Sequence, residues 1–197
     1  MFHPYLCEAV ATALKDNTVY AHQELEALLI PKLGAVRSRA DYARLLQCFY
    51  GYFAPVEKRI GQHITSLQLP DIRQRRKATF ILDDLASLGF STAQLPLSTF
   101  LPQMENEAEA WGGLYVLEGS TLGGRGITKM LLKQCPQLTL QELKFFNGYG
   151  GETGPMWVRF QKALNGLAYQ SEELSVVIRS ANTTFLNFRL WIEQSMA

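Results

Sequence analysis

A chain of 197 residues is long enough for one domain with a substantial core, and its 47% hydrophobic content, 19% charged content and formal charge of +1 describe an ordinary globular protein. That near-neutral balance argues against nucleic-acid binding in bulk, and without a run of about 18 consecutive apolar residues no membrane span is expected. Three scattered cysteines, Cys7, Cys48 and Cys135, suit neither a disulfide framework nor a Cys-x-x-Cys metal site and fit a reducing, cytoplasmic setting.

The opening stretch MFHPYLCEAVATALKDN lacks a basic region ahead of its apolar residues, so no secretory signal is expected. Helical periodicity predicts helices over 5–15 and 18–30, the second ended by Pro31 and Gly34. Ser38 with Asp41 three residues on forms a capping box and opens a long helix carrying Tyr42, Leu45, Leu46, Phe49, Tyr52, Phe53 and Val56. Pro55 should kink it, since proline removes a backbone donor and crowds the preceding turn. A helix over 72–88 follows, ending near Gly89, and its basic run Arg73, Arg75, Arg76 and Lys77 reads as a solvated face, with a docking patch for an acidic partner as the alternative.

Residues 90–103 form the longest connection, and 105–134 a helix interrupted by Gly119, Gly123, Gly124 and Gly126 and stopped by Pro136. Thr139 with Glu142 is a second capping-box pair, 147–155 (NGYGGETGP) a loop, and helices over 156–168 and 171–195 complete the chain. No period-two alternation and no internal repeat is found. The expected fold is all-α, seven or eight helices around one core, with 1–197 as a single domain.

Two features of this pattern point to chemistry. Each glycine inside a helix costs roughly 1 kcal/mol relative to alanine, so the stretch LYVLEGSTLGGRGITKMLL (114–132) needs a compensating purpose. Among the three histidines, His3 and His63 read as surface residues, whereas His22 has Glu26 one turn after it and Lys15 two turns before it. A carboxylate at i+4 can take the Nδ1 proton of a neutral imidazole and leave Nε2 for a metal, and Lys15 on nearly the same face could meet an anionic group beside that metal. An exposed histidine with no ligand is the alternative. A metal held wholly by protein needs further ligands, and the sequence offers no His-x-x-x-His, Glu-x-x-His or cysteine cluster. One histidine suffices where the other ligands come with the metal, as in haem, given a slot that one wall can approach closely. Gly119, Gly123 and Gly124 supply such a wall, with tight helix packing as the alternative use of small residues.

On these residues the chain resembles the haem oxygenases, in particular the bacterial biliverdin-producing type. The resemblance rests on Lys15, Thr18, His22 and Glu26, on YGYFAPVE (50–57), on WGGLYVLEGSTLGG (111–124) and on TFLNFRLW (184–191), in that order along the chain. It implies a helical fold with haem held between a proximal helix and a kinked distal helix. It further implies that haem is both cofactor and substrate, opened at a meso carbon with O2 and electrons from an external reductase or ferredoxin to give biliverdin, carbon monoxide and ferrous iron. Carried across, His22 matches the proximal iron ligand, Glu26 the residue that orients it, Lys15 a propionate partner, and Gly119 and Gly123 the distal glycines. Gly124 extends that wall, and Lys129, with Arg125, Arg159 and Lys162, is a cationic candidate for the propionates. Ser120 stands where animal-type members carry an aspartate that anchors distal water; its hydroxyl and that of Thr121 either partly replace that role or simply cap the kink. A haem-binding protein that has lost oxygen activation through this change is the alternative to the enzyme.

Overall fold

The first helix, α1 (Val10–Gly34), runs unbroken through residues 16–17, the gap that the periodicity leaves between helices 5–15 and 18–30. The Asn17 and Thr18 side chains are satisfied on the helix itself: Thr18 Oγ1 donates to the Leu14 carbonyl at 2.7 Å and Asn17 Nδ2 to that of Ala13 at 2.8 Å. Pro31 likewise sits inside α1 rather than ending it, because the carbonyl its missing N–H leaves free, that of exposed Ala27, faces solvent. The computed structural model that gives this picture describes residues 9–167 and 169–196; His3 and Cys7 lie outside them.

Seven more helices follow: α2 (Arg39–Ile60), α3 (Thr79–Ser87), α4 (Glu107–Gly119), α5 (Gly124–Gln134), α6 (Lys144–Asn147), α7 (Thr153–Asn165) and α8 (Ser171–Ser195), with no strand among the described residues. The all-α expectation therefore holds. The Ser38–Asp41 capping box is formed, with Asp41 N–H on Ser38 Oγ at 3.1 Å and Ser38 N–H on Asp41 Oδ2 at 3.0 Å. α2 continues through Pro55, and the carbonyl freed one turn earlier, at Gly51, accepts the Ser98 N–H at 2.9 Å. The 90–103 connection is thus docked on α2 at the proline, so close that a Cβ on Gly51 would lie 2.6 Å from the Pro96 carbonyl oxygen.

Further boundaries differ from the periodicity. Helix 72–88 begins only at Thr79, after a 3-10 turn at Ile72–Gln74, and the glycine-rich helix is two helices separated at Ser120–Gly123. The basic run is accordingly no helix face, and its Arg75 is 2% exposed.

The core is built on α4 against α8, and α1 also packs on α8. Contact is backbone to backbone: a Cβ on Gly112 would stand 2.4 Å from the Val177 carbonyl oxygen and 2.8 Å from Ser180 Cβ, while Ser180 Oγ donates to the Glu109 carbonyl at 2.7 Å. Trp111 beside it is fully buried, and Phe49, Tyr52, Phe53, Phe145, Phe146 and Phe188 form an aromatic cluster linking α2, α6 and α8. Gly112→Ala should cost about 1–3 kcal/mol of stability, because the methyl group meets a carbonyl that can move only with its helix. Urea denaturation checks this, and wild-type stability would show that the two helices are free to separate.

Candidate functional site

Along α1 the residues Lys15, Val19, His22 and Glu26 recur at helical spacing and share one stripe, and all four are exposed. His22 and Glu26 side chains are each 52% accessible, and Glu26 Oε1 lies 3.6 Å from His22 Nε2, beyond hydrogen-bonding length. The ring is turned so that Nε2, rather than the expected Nδ1, is nearest the carboxylate. Phe185 of α8 holds the imidazole edge-on, with ring centroids 5.6 Å apart. One turn before Gly119, the Tyr115 phenol is pushed up chiefly by burial. α1 and α4 both pack on α8, which is the common support of the His22 stretch and of the helix that ends at Gly119.

The end of α4 is fixed by a buried charge network. Glu118, 3% exposed, accepts from Arg75 Nη1 at 2.7 Å and from the Tyr149 hydroxyl at 2.9 Å. Arg75 also clasps Asp71 through Nε and Nη2 at 2.8–3.0 Å and donates to the Met156 carbonyl at 3.1 Å. Burial, followed by the Glu118 charge, pushes the Tyr149 phenol well above its usual range, which keeps it a donor. Its oxygen in turn accepts the Arg76 N–H at 2.7 Å.

Beyond Glu118 the backbone turns rather than continuing as helix. Ser120 Oγ donates to the Leu117 carbonyl at 2.6 Å and Thr121 Oγ1 to that of Glu118 at 2.7 Å, so both hydroxyls cap the kink. Of the two uses that the sequence leaves open for them, capping is the one these bonds perform.

The glycines around this turn separate into two kinds. Gly124 is buried, and a Cβ there would stand 2.0 Å from the Phe146 carbonyl oxygen, so its smallness is demanded by α6 and not by an open wall. Gly119 and Gly123 have no such neighbour: a Cβ would meet only the Trp157 ring at 3.8 Å and Ile127 Cδ1 at 4.0 Å. Gly123 has φ −75° and ψ −16°, which any residue adopts. Neither packing nor backbone geometry requires glycine at these two positions. Exposed apolar side chains lie on both sides, Val19 (51%) and Leu186 (45%) near His22 and Leu122 (48%) in the turn.

The haem oxygenase family model matches residues 8–194 of the chain. This protein belongs to the haem oxygenase family. It is 32% identical over 162 residues to a haem oxygenase of Xanthomonas campestris pv. campestris, covering 81% of this chain and 94% of that relative. To the haem oxygenase PigA of Pseudomonas aeruginosa it is 27% identical over 179 residues, 89% of this chain and 87% of PigA. Among solved structures, the NO- and CO-bound haem oxygenase of Neisseria meningitidis superposes with a TM-score of 0.78 at 19% identity, over 96% of this chain and 92% of that one. A cyanobacterial haem oxygenase from Synechocystis in complex with haem gives 0.71 at 15% identity, over 94% and 91%.

In this haem oxygenase the cationic candidates are distributed unequally. Lys15, Lys129, Arg125 and Lys162 are exposed, whereas Arg159 is turned to Asp71 of the buried network, Nε to Oδ2 at 3.3 Å. Within the basic run Arg75 and Arg76 point inward and Lys77 lies 3.5 Å from Glu57, while Arg73 is exposed. His63 is half-buried, with its Nε2 2.9 Å from the Met104 carbonyl oxygen. The buried Arg75 and Glu118 and the half-buried Arg76 and Tyr149 are not marked as site residues by the sequence; the signal available was an apolar helix carrying one unexplained glutamate, Glu118.

α6, which carries the Phe146 carbonyl against Gly124, is itself held by Asp84. The Lys144 and Phe145 N–H groups donate to its two oxygens at 2.9 Å each. Burial nevertheless outweighs these bonds and pushes the carboxyl up to about 7. The folded state therefore binds the proton more tightly than the unfolded chain, and this group's contribution to stability falls as pH rises from about 4 to about 7, on the order of a few kcal/mol. Asp84→Asn, which cannot ionise, should lose that decline. Urea denaturation at several pH values checks it: the wild type should lose stability relative to the variant between pH 4.5 and 7.5, and parallel profiles would contradict the assignment.

Proposed function

We propose that haem is seated on the His22 face of α1 against the Gly119–Gly123 turn, and that this enzyme opens it to biliverdin, carbon monoxide and ferrous iron. The observation carrying the site is the pair Gly119 and Gly123, whose lack of side chains neither packing nor backbone conformation requires. Bound haem supplies the iron at which O2 is activated. His22 gives an accessible imidazole as the proximal iron ligand, held edge-on by Phe185. Glu26 lies within one short side-chain movement of that ring and orients it once the other nitrogen is engaged. Lys15 and Lys129, both exposed, reach the propionates from α1 and α5.

On the distal side the bare backbone at Gly119 and Gly123 leaves room for O2 over the iron, and Ser120 marks the edge of that space. Gly124 supports this wall from behind through its contact with α6. No protein acid or base has to stand over the iron in this arrangement; the chain's part is positioning and shaping. Electrons come from a separate reductase or ferredoxin. We place the reaction in the cytoplasm, which suits the buried free thiols of Cys48 and Cys135; no described helix is long and apolar enough to cross a membrane.

The test adds haemin to the purified protein with a reductase system and oxygen and follows the Soret band with carbon monoxide release. The wild type should lose the band with carbon monoxide formed; a band that persists would favour a haem-buffering protein on the same fold. His22→Ala should change the haem spectrum and weaken binding by about tenfold or more. Gly123→Leu should fold within about 0.5 kcal/mol of wild type yet lose turnover, because a Cβ at this exposed position meets no atom closer than Ile127 Cδ1 at 4.0 Å. An unchanged haem spectrum in the first variant, or normal turnover in the second, would remove the corresponding wall.

A further inference from the structure

We infer that Arg76 is the positioning residue of the distal turn. Its guanidinium comes from the linker before α3 and reaches the turn from outside α4: Nη2 donates to the Leu117 carbonyl at 2.8 Å and to Ser120 Oγ at 2.6 Å. Those two acceptors straddle the point where α4 stops. Leu117 is in the last helical turn, and Ser120 is the first residue of the kink.

Three restraints aim this side chain. Its planar head lies over the Phe145 ring at 4.3 Å and the Phe53 ring at 5.3 Å, so the cation is stacked on the aromatic cluster joining α2 and α6. Its backbone N–H is held by the Tyr149 hydroxyl at 2.7 Å. The preceding residue is Arg75, immobilised in the ion pair with Glu118. The backbone from which the stem leaves is therefore fixed, and one guanidinium ties α2, α6 and the linker to the turn.

The chemistry of the tie is specific. The Leu117 carbonyl is one that α4 leaves unpaired on stopping, and Arg76 fills it with a charged donor, stronger than a neutral one. Ser120 Oγ, donating to the same carbonyl, has its acceptor side taken by Arg76. In this chain the residue following the first distal glycine is thus engaged by a cation from elsewhere in the fold. Arg76 acts on the reaction through the turn it holds, by fixing how far the Gly119–Gly123 backbone stands from His22. The inference rests on that turn being the distal wall.

Amide hydrogen exchange on the haem-free protein, combined with haem turnover, tests it. Arg76→Met keeps an apolar stem between Phe53 and Phe145 but removes the donors. Exchange at the Thr121, Leu122 and Gly124 amides should quicken by about tenfold while α8 amides hold their wild-type rates. In the reductase-coupled reaction kcat should fall by about tenfold with KM for haem within about threefold, and Arg76→Lys should recover part of kcat. Wild-type exchange at the turn, or faster exchange spread evenly through the protein, would overturn the assignment. If Arg76→Met does not fold, Arg76→Lys and Ser120→Ala are measured in the same way, each expected to quicken exchange only at the turn, and wild-type rates in both would overturn it. The exchange arm needs no haem. Its failure is therefore separable from failure of the haem reading, which would appear as altered exchange at the turn with unaltered turnover.

Discussion

The ion pair between Arg75 and Glu118 is the constraint on which the functional half of the molecule depends. Both side chains are buried, and taking two charges out of water is costly unless every donor and acceptor is met. Here Asp71, the Met156 carbonyl and the Tyr149 hydroxyl complete the set, so the pair's main consequence is geometric. Glu118 sits one residue before the helix ends, which ties the end of α4 to the Asp71–Arg75 segment and to α7 at once. Arg76 follows from this, since its backbone is carried by its neighbour and its head can then reach Leu117 and Ser120. The break between α4 and α5 and the orientation of the two open glycines are referred to that one charged contact, whereas α6 behind Gly124 is held by Asp84.

The proximal side is held differently. Nothing charged and buried aims His22; it stands on a helix whose inward stripe passes through Thr18 and Leu25 and whose outward stripe is left bare. α8 supplies the common reference, touching the imidazole through Phe185 and α4 through Val177 and Ser180. A histidine on an open face and a glycine turn fixed from behind are thereby set against one long helix.

Much of this was legible in the residues. The spacing of Lys15, His22 and Glu26, the capping box at Ser38 and the glycine interruption after Leu117 are local patterns, and local physics governs them. The four glycines look alike in sequence, however, and only the fold separates Gly124, pressed on Phe146, from Gly119 and Gly123, pressed on nothing. The run Arg73 to Lys77 was misread because the burial of Arg75 is decided by a partner 43 residues away, a contact that periodicity does not carry. The gap that the periodicity leaves at 16–17 is helical because the polar Asn17 and Thr18 side chains bond to carbonyls of the preceding turn, which satisfies them inside a helix.

The central claim is that a bare backbone wall faces the iron bound by His22. The most direct measurement is the amide spectrum of protein labelled with 15N-glycine, recorded with and without ferric haem. Gly119 and Gly123 should be broadened or strongly shifted by the paramagnetic iron, whereas Gly34, twelve residues along α1 from His22 and so about 18 Å away, should hardly move. Unchanged Gly119 and Gly123 signals in the haem-loaded protein would contradict the account.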